Sequence, residues 1–472
     1  MKKLSKKSVY ISLVGIGALV VTACGSQPAT NTSNSSGGTN STSGNNSGSG
    51  TVSLTVATVN NPDMIQMEHL VSNFEKLNPN IKVNFVTLPE NQIRQKITED
   101  VASGAGKFDL VMLGPNDVQG AYTLNHWIVP LNPYINNMSA SEKQAYNLQD
   151  IIPSIRESLT YKGQLYALPF YGESTVLYYR KDLFAQHHLT MPLHPTWSQV
   201  AQFAKQLNDP SKGISGIILR GQAGYGENMG TINNVIHTFG GSWYNMQWQP
   251  QFTSQPVKNA ITFYMNLLKS YGEPGATGVG FTEGESLMAN GKAAMWYDST
   301  VAGGYLWDPS TSKVSNNIGM VYAPYAVTKN GDGWLWTWAL GIEAGSKHKA
   351  DAFKFLEWAT SPSYLKLVAQ KYGWVNVPPG TRLSLYSNPN YLKAAPFAHT
   401  VLSQMEMMSV SHPTNHPVPY LASSWLALPN FDEMGTQIGQ IMSAVEAGKE
   451  SVSQALQQSN QIAAQGAKQL GH

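Results

Sequence analysis

Residues 52–113 read VSLTVATVNNPDMIQMEHLVSNFEKLNPNIKVNFVTLPENQIRQKITEDVASGAGKFDLVML, and this stretch decides the fold class. Three segments rich in β-branched and apolar residues alternate with two segments whose apolar residues recur at helical spacing. They predict strands over 52–59, 81–88 and 108–113 and helices over 64–77 and 91–103. Alternation of this kind predicts an α/β fold, with a parallel sheet covered by helices on both faces.

In sheets of this kind, ligands bind beyond the carboxyl ends of the strands. The first predicted strand ends at Asn60-Asn61, and the third is followed by Gly114-Pro115-Asn116-Asp117. The polar residues at these two strand ends are therefore candidate ligand contacts.

The rest of the folded part, from about residue 51, is long enough to add a second domain. Further extended segments are predicted over 165–170, 175–180, 216–220, 293–298 and 334–342. Further helices are predicted over 197–207, 228–238, 255–271, 281–290, 349–359 and 434–446, and the last of these is expected to close the chain.

The N-terminus has the pattern of a secretory signal. Four lysines within the first seven residues precede an apolar stretch over 9–21, which is short for a membrane span. Val21-Thr22-Ala23-Cys24 follows, and it resembles the bacterial lipobox, in which the cysteine is diacylated and becomes the new N-terminus. The alternatives are an ordinary signal peptide with an incidental cysteine, or a membrane helix.

The segment after the cysteine consists almost wholly of Ser, Thr, Asn and Gly, without an aromatic or charged residue. It cannot bury enough apolar surface to offset its backbone entropy, so a disordered tether is predicted. The predicted organisation is a signal peptide over 1–23 and a linker over 24–50. Several acyl chains on Cys24 would hold the folded part at the extracytoplasmic face of the cell membrane.

Composition excludes several classes of function. Cys24 is the only cysteine, which rules out zinc–cysteine sites, redox pairs and cysteine nucleophiles. The net charge of the chain is +2, and removal of the four signal lysines leaves about −2, so there is no basic surplus for nucleic acid or anionic lipid. Aromatic residues make up 10% of the chain and charged residues only 13%, where about a quarter is usual. The surface is therefore expected to carry mostly neutral polar groups.

Almost the whole mature chain resembles the family 1 extracellular solute-binding proteins of ABC importers, the maltose-binding-protein-like group. Within that group, it is most similar to the sorbitol/mannitol (polyol)-binding branch. The resemblance is carried, in order along the chain, by VATVNN (56–61), LPFYGES (168–174), RG (220–221), GENM (226–229), FGGSW (239–243), GWVNVPPGTR (373–382) and PVPY (417–420).

The resemblance implies a periplasmic-binding-protein-like fold of type II. Two α/β lobes would enclose a ligand cleft and be joined by three crossings, near Phe170, Trp338 and Tyr372. The first lobe would hold residues 51–168 plus 342–371, and the second 169–341 plus 372–472. The implied function is non-catalytic: capture of a sugar alcohol or related carbohydrate for ABC permease subunits, with no cofactor.

A polyol offers many hydroxyls and weakly apolar C–H faces. Its site needs carboxylates, amides and a guanidinium for the hydroxyls, because unpaired buried polar groups are costly and charged partners bond more strongly. It also needs aromatic rings to lie against the C–H faces. Residues of these types stand at the predicted strand ends and crossings.

On the first lobe and first crossing, the resemblance implies that Glu173 accepts hydroxyl protons in the cleft; a solvent-facing turn acid is the alternative. Tyr171, in the same segment, is a further candidate. Asn61 is either a ligand contact or the N-cap of the following helix. Asn116 is either a ligand contact or part of a simple turn.

On the second lobe, Arg220 ends a predicted strand and would fork onto two adjacent hydroxyls, or it pairs with a structural acid. Asn228 lies beside the glycines that follow it. Asp298 ends the strand over 293–298, where the resemblance places ligand contacts.

Three tryptophans are candidate stacking platforms. Trp243 follows two glycines and is either a platform or a core residue. The second crossing strand carries Trp334, Trp336 and Trp338, and a period of two puts all three on one face. Trp336 is the candidate chosen among them. Trp374 stands at the third crossing.

The histidines do not predict a metal site. His187 and His188 are neighbours at a helix end and point apart, while His412 and His416 lie in a proline-rich loop without acidic neighbours. Neither a nucleophile elbow nor a phosphate loop is found in the sequence.

Two other functions fit the same residue types. A secreted glycoside hydrolase also uses aromatic residues and carboxylates, but it needs two opposed carboxylates, for which Glu173 and Asp298 are the candidates. A binding protein for oligosaccharides would need a longer groove with more platforms.

The lipobox predicts that Cys24→Ala leaves the protein uncleaved or unacylated, because the thiol is the acceptor of the acyl chains. Cells fed with labelled fatty acid should label the natural protein and not the variant, and only the natural protein should sediment with membranes. Cys24→Ser, which keeps the size of the side chain, is the matched control and should also stay unlabelled. Equal labelling of all three proteins would contradict the prediction.

Overall fold

The computed structural model describes residues 50–329, 331–421 and 424–472. Within these ranges, strands form where runs of β-branched and apolar residues stand between turn-forming residues. The predicted signal peptide, Cys24 and the linker up to residue 49 lie outside the described residues. The strands are β1 Val52–Val59, β2 Ile81–Leu88, β3 Leu110–Leu113, β4 Thr160–Tyr161, β5 Gln164–Leu165, β6 Ala167–Glu173, β7 Thr175–Arg180, β8 Met295–Ser299, β9 Ile318–Tyr322 and β10 Trp336–Ile342.

The helices of the described residues lie between these strands or after the last of them. They are α1 Pro62–Leu77, α2 Glu90–Ser103, α3 Pro115–Gln119, α4 Ala121–Leu124, α5 Asn132–Asn137, α6 Ala140–Tyr146, α7 Pro153–Ser158, α8 Lys181–Gln186, α9 Trp197–Leu207, α10 Asn228–Thr238, α11 Gln255–Tyr271, α12 Phe281–Ala289, α13 Gly303–Trp307, α14 Lys349–Ala359, α15 Pro362–Tyr372, α16 Pro389–Ala394, α17 Ala398–Met407, α18 Phe431–Glu446 and α19 Val452–Gln469.

The first sheet has the strand order β2-β1-β3-β10-β6. β1 runs parallel to β2 and β3, as the alternating pattern predicts. β10 runs antiparallel to both β3 and β6, so the sheet is parallel only among the three strands of the alternating stretch. Parallel neighbours need a crossover connection that returns the chain to the end of the sheet where the previous strand began. The chain reaches β10 from residues that follow the second sheet, and β10 begins beside the end of β3.

The second sheet is antiparallel, in the order β8-β7-β9. The strand predicted over 216–220 does not form a ladder. Ser215 and Ile218 make only isolated bridges to Ala293 and Trp296, and the amide of Ile217 donates to the carbonyl of Tyr271 (3.1 Å). This segment therefore runs beside β8 without joining the sheet.

Most predicted helices begin and end close to the expected residues because their caps are local. Asn61 caps α1, and Thr196 with Gln199 forms a capping box at the start of α9. The expectation that α18 closes the chain is wrong. Ser451 and Gln454 form another capping box, which starts α19.

The core of the described residues is rich in aromatic side chains. Trp197, Trp243, Trp296, Trp334 and Trp336 are all fully buried or nearly so. None of the helices in the described ranges is long and apolar enough to cross a membrane.

Two buried acids face each other in the first-sheet region. Glu343, directly after β10, lies against Asp100 of α2. Burial, and then the contact with Asp100, raises the pKa of Glu343 from 4.5 to about 8. The folded protein therefore prefers the protonated form of this carboxyl.

The raised pKa of Glu343 predicts that the folded protein loses stability as pH rises. Because the folded pKa lies above the unfolded one, the stabilisation is complete below about pH 4.5 and is lost as pH rises through about 8. Glu343→Gln keeps a neutral side chain at every pH, so its melting temperature should fall less than that of the natural protein between pH 5 and 9. Glu99→Gln, an exposed site on α2, should follow the natural protein. Parallel curves for all three would contradict the assignment.

Candidate ligand-binding site

A cavity of about 140 Å³ lies at the carboxyl end of β1. Its walls combine segments that are far apart in the sequence: the end of β1, the start of α2, strands β6 and β10, the loop after residue 220, and the start of α12. The lining residues are Val59, Asn60, Asn61, Pro89, Glu90, Arg94, Tyr171, Glu173, Arg220, Gln222, Gly226, Glu227, Phe281, Thr282, Glu283, Val301, Trp336, Trp338 and Trp425. The cavity therefore occupies the strand-end position that the α/β pattern predicts.

Glu173 is the last residue of β6 and lies opposite Trp336 of β10. Its carboxylate accepts a hydrogen bond from the hydroxyl of Ser299, at the end of β8. Burial raises the pKa of Glu173 to about 8, although the Ser299 bond and Arg220 act in the opposite direction. Near neutral pH this carboxyl therefore offers both a donor and an acceptor to a hydroxyl.

Arg220 lines the cavity with a guanidinium that is already largely paired. Its Nε and Nη2 donate to the two carboxylate oxygens of Asp298, at 2.9 and 2.6 Å. Its Nη1 donates to the carbonyl of Gly226 at 2.9 Å and lies 3.4 Å from Glu227. Arg220 is therefore the partner of a structural acid, one of the two interpretations weighed for it, and its ligand contact stays a prediction.

An aromatic wall of Trp336, Trp338 and Trp425 lines the cavity. The rings of Trp336 and Trp425 are 4.3 Å apart, and those of Trp336 and Trp338 are 5.5 Å apart at nearly a right angle. The guanidinium of Arg94 lies 4.4 Å from the ring of Trp338 and 5.2 Å from that of Trp336. This arrangement holds the rings in place and offers faces to C–H groups.

Gly114, at the end of β3, leaves room for Trp336. A Cβ atom at this position would lie 1.9 Å from the Trp336 ring. Any other residue would therefore displace the ring from the cavity wall.

Asn61 has the capping role considered for it, and its ligand contact stays a prediction. Its side-chain oxygen accepts from the amide of Met64 (3.1 Å), which caps α1, and its amide group donates to the hydroxyl of Tyr171 (2.9 Å). Both residues line the cavity.

Five predicted contacts lie outside the cavity lining. Asp298 is fully buried behind Arg220, which takes up its carboxylate. Trp243 is a core residue that packs on Phe252 and Phe431. The others are Asn116, which donates to Asp432 (3.0 Å), Asn228, which donates to the carbonyl of Gly439 (2.8 Å), and Trp374, which starts a short 3-10 helix.

Several lining residues were not singled out from the sequence. Glu90 and Arg94 follow the end of β2, so the strand-end rule used for Asn61 also applied to them. Trp338 shares a strand face with Trp336 through the period of two. The sequence contains no comparable signal for Gln222, Glu227, Phe281 or Glu283. Their positions depend on loops and on packing between distant segments.

Within the described ranges, no group of three or more His, Cys, Asp or Glu residues is placed to hold a metal ion. The charged groups at the cavity are instead carboxyls and two arginines, which suit a neutral ligand with many hydroxyls.

Residues 61–366 match the family described as bacterial extracellular solute-binding protein. The chain belongs to this family. Over 420 residues it is 44% identical to a protein of Pseudomonas aeruginosa strain PAO1 named mannitol-binding protein, with 89% of this chain and 94% of the relative covered. This solute-binding protein also covers most of several solved structures.

One of those structures is an ABC transporter solute-binding protein of Agrobacterium vitis S4 with bound D-mannitol. It is 43% identical with a TM-score of 0.86, and the match covers 89% of this chain and 99% of that one. A maltose-bound protein of T. maritima is 20% identical, with a TM-score of 0.73. The match covers 88% of this chain and 99% of that one, and it bears on the fold alone. The predicted type II fold, with a cleft between two lobes joined by three crossings, is confirmed for this solute-binding protein.

The pairing of Arg220 predicts the effect of Asp298→Asn. This change removes the carboxylate that holds two nitrogens of the buried guanidinium and leaves Glu227, 3.4 Å from Nη1, as its acidic neighbour, which is expected to cost about 3–5 kcal/mol of stability. The ligand should also bind at least about tenfold more weakly, because Arg220 would no longer be held in place. Thermal unfolding and calorimetry measure the two effects. Asp209→Asn, which breaks an exposed ion pair with Lys212, is the matched control and should change neither. A variant at Asp298 that behaves like this control would contradict the assignment.

Proposed function

We propose that this solute-binding protein captures a hexitol such as mannitol or sorbitol and delivers it to the permease of an ABC importer. The observation that carries the proposal is the composition of the cavity, in a chain 44% identical to a protein named for mannitol. The bound D-mannitol in the Agrobacterium vitis structure supports the same ligand class.

The cavity supplies what a hexitol requires. The cavity is lined by the carboxyls of Glu173 and Glu227, the amides of Asn61 and Gln222 and the guanidinium of Arg220, and these groups would pair with hydroxyls. The tryptophan wall offers apolar faces to the carbon chain. Because most of these groups are already held by protein partners, little ordering is needed when the ligand binds.

A glycosidase is the weaker proposal. The two candidate carboxylates do not flank the cavity, since Glu173 lines it while Asp298 lies behind Arg220. The opposed pair that glycoside hydrolysis needs is therefore not formed by these residues. Membership of a solute-binding family likewise favours capture without chemistry.

We also propose the lobe boundaries implied by the sequence: 51–168 with 342–371, and 169–341 with 372–472. Polar contacts between these two sets support an enclosed ligand. The amide group of Asn91 donates to the carbonyl of Ala223 (3.3 Å), and that of Asn116 donates to Asp432 (3.0 Å). Ligand that touches both lobes would favour this closed arrangement, which the permease would recognise.

The location proposed for the protein is the extracytoplasmic face of the membrane, with acylated Cys24 as anchor. Its support is the sequence pattern of residues 1–50 and membership of an extracellular family. The polyol and the permease are the proposed partners.

Calorimetry on the folded part, residues 50–472, tests the ligand class. D-mannitol or D-sorbitol should bind, and Glu173→Ala should weaken binding by about 1.5–3 kcal/mol because ligand hydroxyls lose a buried carboxyl partner. Glu99→Ala, on the exposed face of α2, is the control and should bind normally.

Two results would overturn the proposal. One is binding of a maltooligosaccharide with no response to any hexitol or monosaccharide. The other is turnover of an aryl glycoside that is lost in Glu173→Ala.

A further inference from the structure

A second cavity, of about 320 Å³, adjoins the first. The two share four wall residues: Asn61, Tyr171, Phe281 and Val301. Its other walls come from the first turns of α1, from α12 and α13, and from the segment over 375–397. We call it the outer compartment, and the cavity described above the hexitol compartment.

The outer compartment contains acceptor groups without protein partners. The side-chain oxygen of Gln66 is buried and accepts no hydrogen bond within the described ranges. Glu285, on α12, is only 4% exposed as a residue, and its carboxyl has no hydrogen bond or ion pair there. The carboxyl of Asp63, a partly exposed residue in the first turn of α1, has none in these ranges either. Unpaired buried acceptors are costly, so their presence at a cavity wall indicates a ligand that supplies donors.

The remaining walls are largely aromatic and apolar. Rings of Tyr305, Tyr391 and Phe397 line the compartment together with Val375 and Val377. Neither lysine nor arginine is among the lining residues that the structure describes. The chemistry therefore combines hydrogen-bond acceptors with flat apolar faces, as the hexitol compartment does, but without its guanidinium groups.

We propose that the outer compartment binds a glycosyl group, so that the protein accepts a glycosylated hexitol that spans both compartments. This proposal rests on the proposed hexitol function. The hydroxyls of a sugar ring would donate to Asp63, Gln66 and Glu285, and its C–H face would lie on the tyrosine rings. In this proposal the glycosidic bond would lie beside Asn61 and Tyr171, which line both cavities.

An organic ammonium ion is the other donor-rich ligand that such acids attract, and it is disfavoured. Burial raises the pKa of Asp63 to about 7, and burial and then Asp63 raise the pKa of Glu285. Burial thus opposes the ionised forms that an ammonium ion needs, whereas neutral carboxyls still pair with hydroxyls.

Calorimetry with two pairs of probes tests the proposal: D-sorbitol with α-glucosyl-sorbitol, and D-mannitol with α-glucosyl-mannitol. At least one glucosyl-hexitol should bind at least about tenfold more tightly than its parent hexitol, since the ring pairs acceptors that are otherwise unpaired. Glu285→Ala and Gln66→Ala should each remove most of that gain, because each deletes an acceptor, and should leave hexitol affinity within about twofold. Gln95→Ala, at an exposed position of α2, is the matched control and should keep the full gain.

The outcomes separate this proposal from the proposed function. Hexitol binding without any gain from the glucosyl group, or a gain unaffected by both variants, overturns the outer compartment alone. Failure of both hexitols and glucosyl-hexitols to bind overturns the proposed function as well. Tighter binding of an amino-hexitol that strengthens from pH 6 to 9, and is lost in Glu285→Gln, overturns the glycosyl assignment in favour of an ammonium site.

Discussion

The buried guanidinium of Arg220 needs a negative partner, and much of the site follows from the way Asp298 supplies it. Asp298 stands in β8 and holds Arg220 through two hydrogen bonds, while it also accepts from the amide of Ser299. The hydroxyl of Ser299 donates in turn to Glu173, and Glu173 lies opposite Trp336 in the pairing of β6 and β10. A single connected network thus runs from the second sheet to the strands of the first.

This network explains why charge can be buried around a neutral ligand. An isolated buried charge is costly, but each member here has a partner before any ligand arrives. Arg94 is placed similarly, with Glu90 at 2.9 Å and the rings of Trp336 and Trp338 beside it. The hexitol compartment is therefore ordered in advance, whereas the outer compartment keeps an acceptor, the side-chain oxygen of Gln66, that has no hydrogen-bond partner in the described residues.

The sequence predicts the parts of the site that depend on local rules. Asn61 follows from a strand end, Trp336 from a period of two and Glu173 from the family resemblance, and all three line the cavity. Trp243 and Asn228 could not be resolved in the same way, because a tryptophan or an amide after glycines looks alike in a core and in a cleft. Their partners, Phe431 and the carbonyl of Gly439, lie about two hundred residues away along the chain. The same limit applies to the sheet: β10 follows a pattern typical of any strand, and nothing local indicates that it runs antiparallel to β3.

Asn61 shows why structural and functional interpretations of one residue need not compete. A helix that starts at the end of a parallel strand needs a cap, and the cap lies at the edge where ligands bind. The oxygen of Asn61 is used by α1, which fixes the side chain, and its amide group holds the hydroxyl of Tyr171 on the wall shared by the two cavities. A contact residue whose other atoms are bound to the scaffold loses little freedom when the ligand arrives. Arg220 follows the same logic through Asp298, and Trp336 through its fit over Gly114. In this protein, the interactions that complete the fold are therefore the ones that prepare the site.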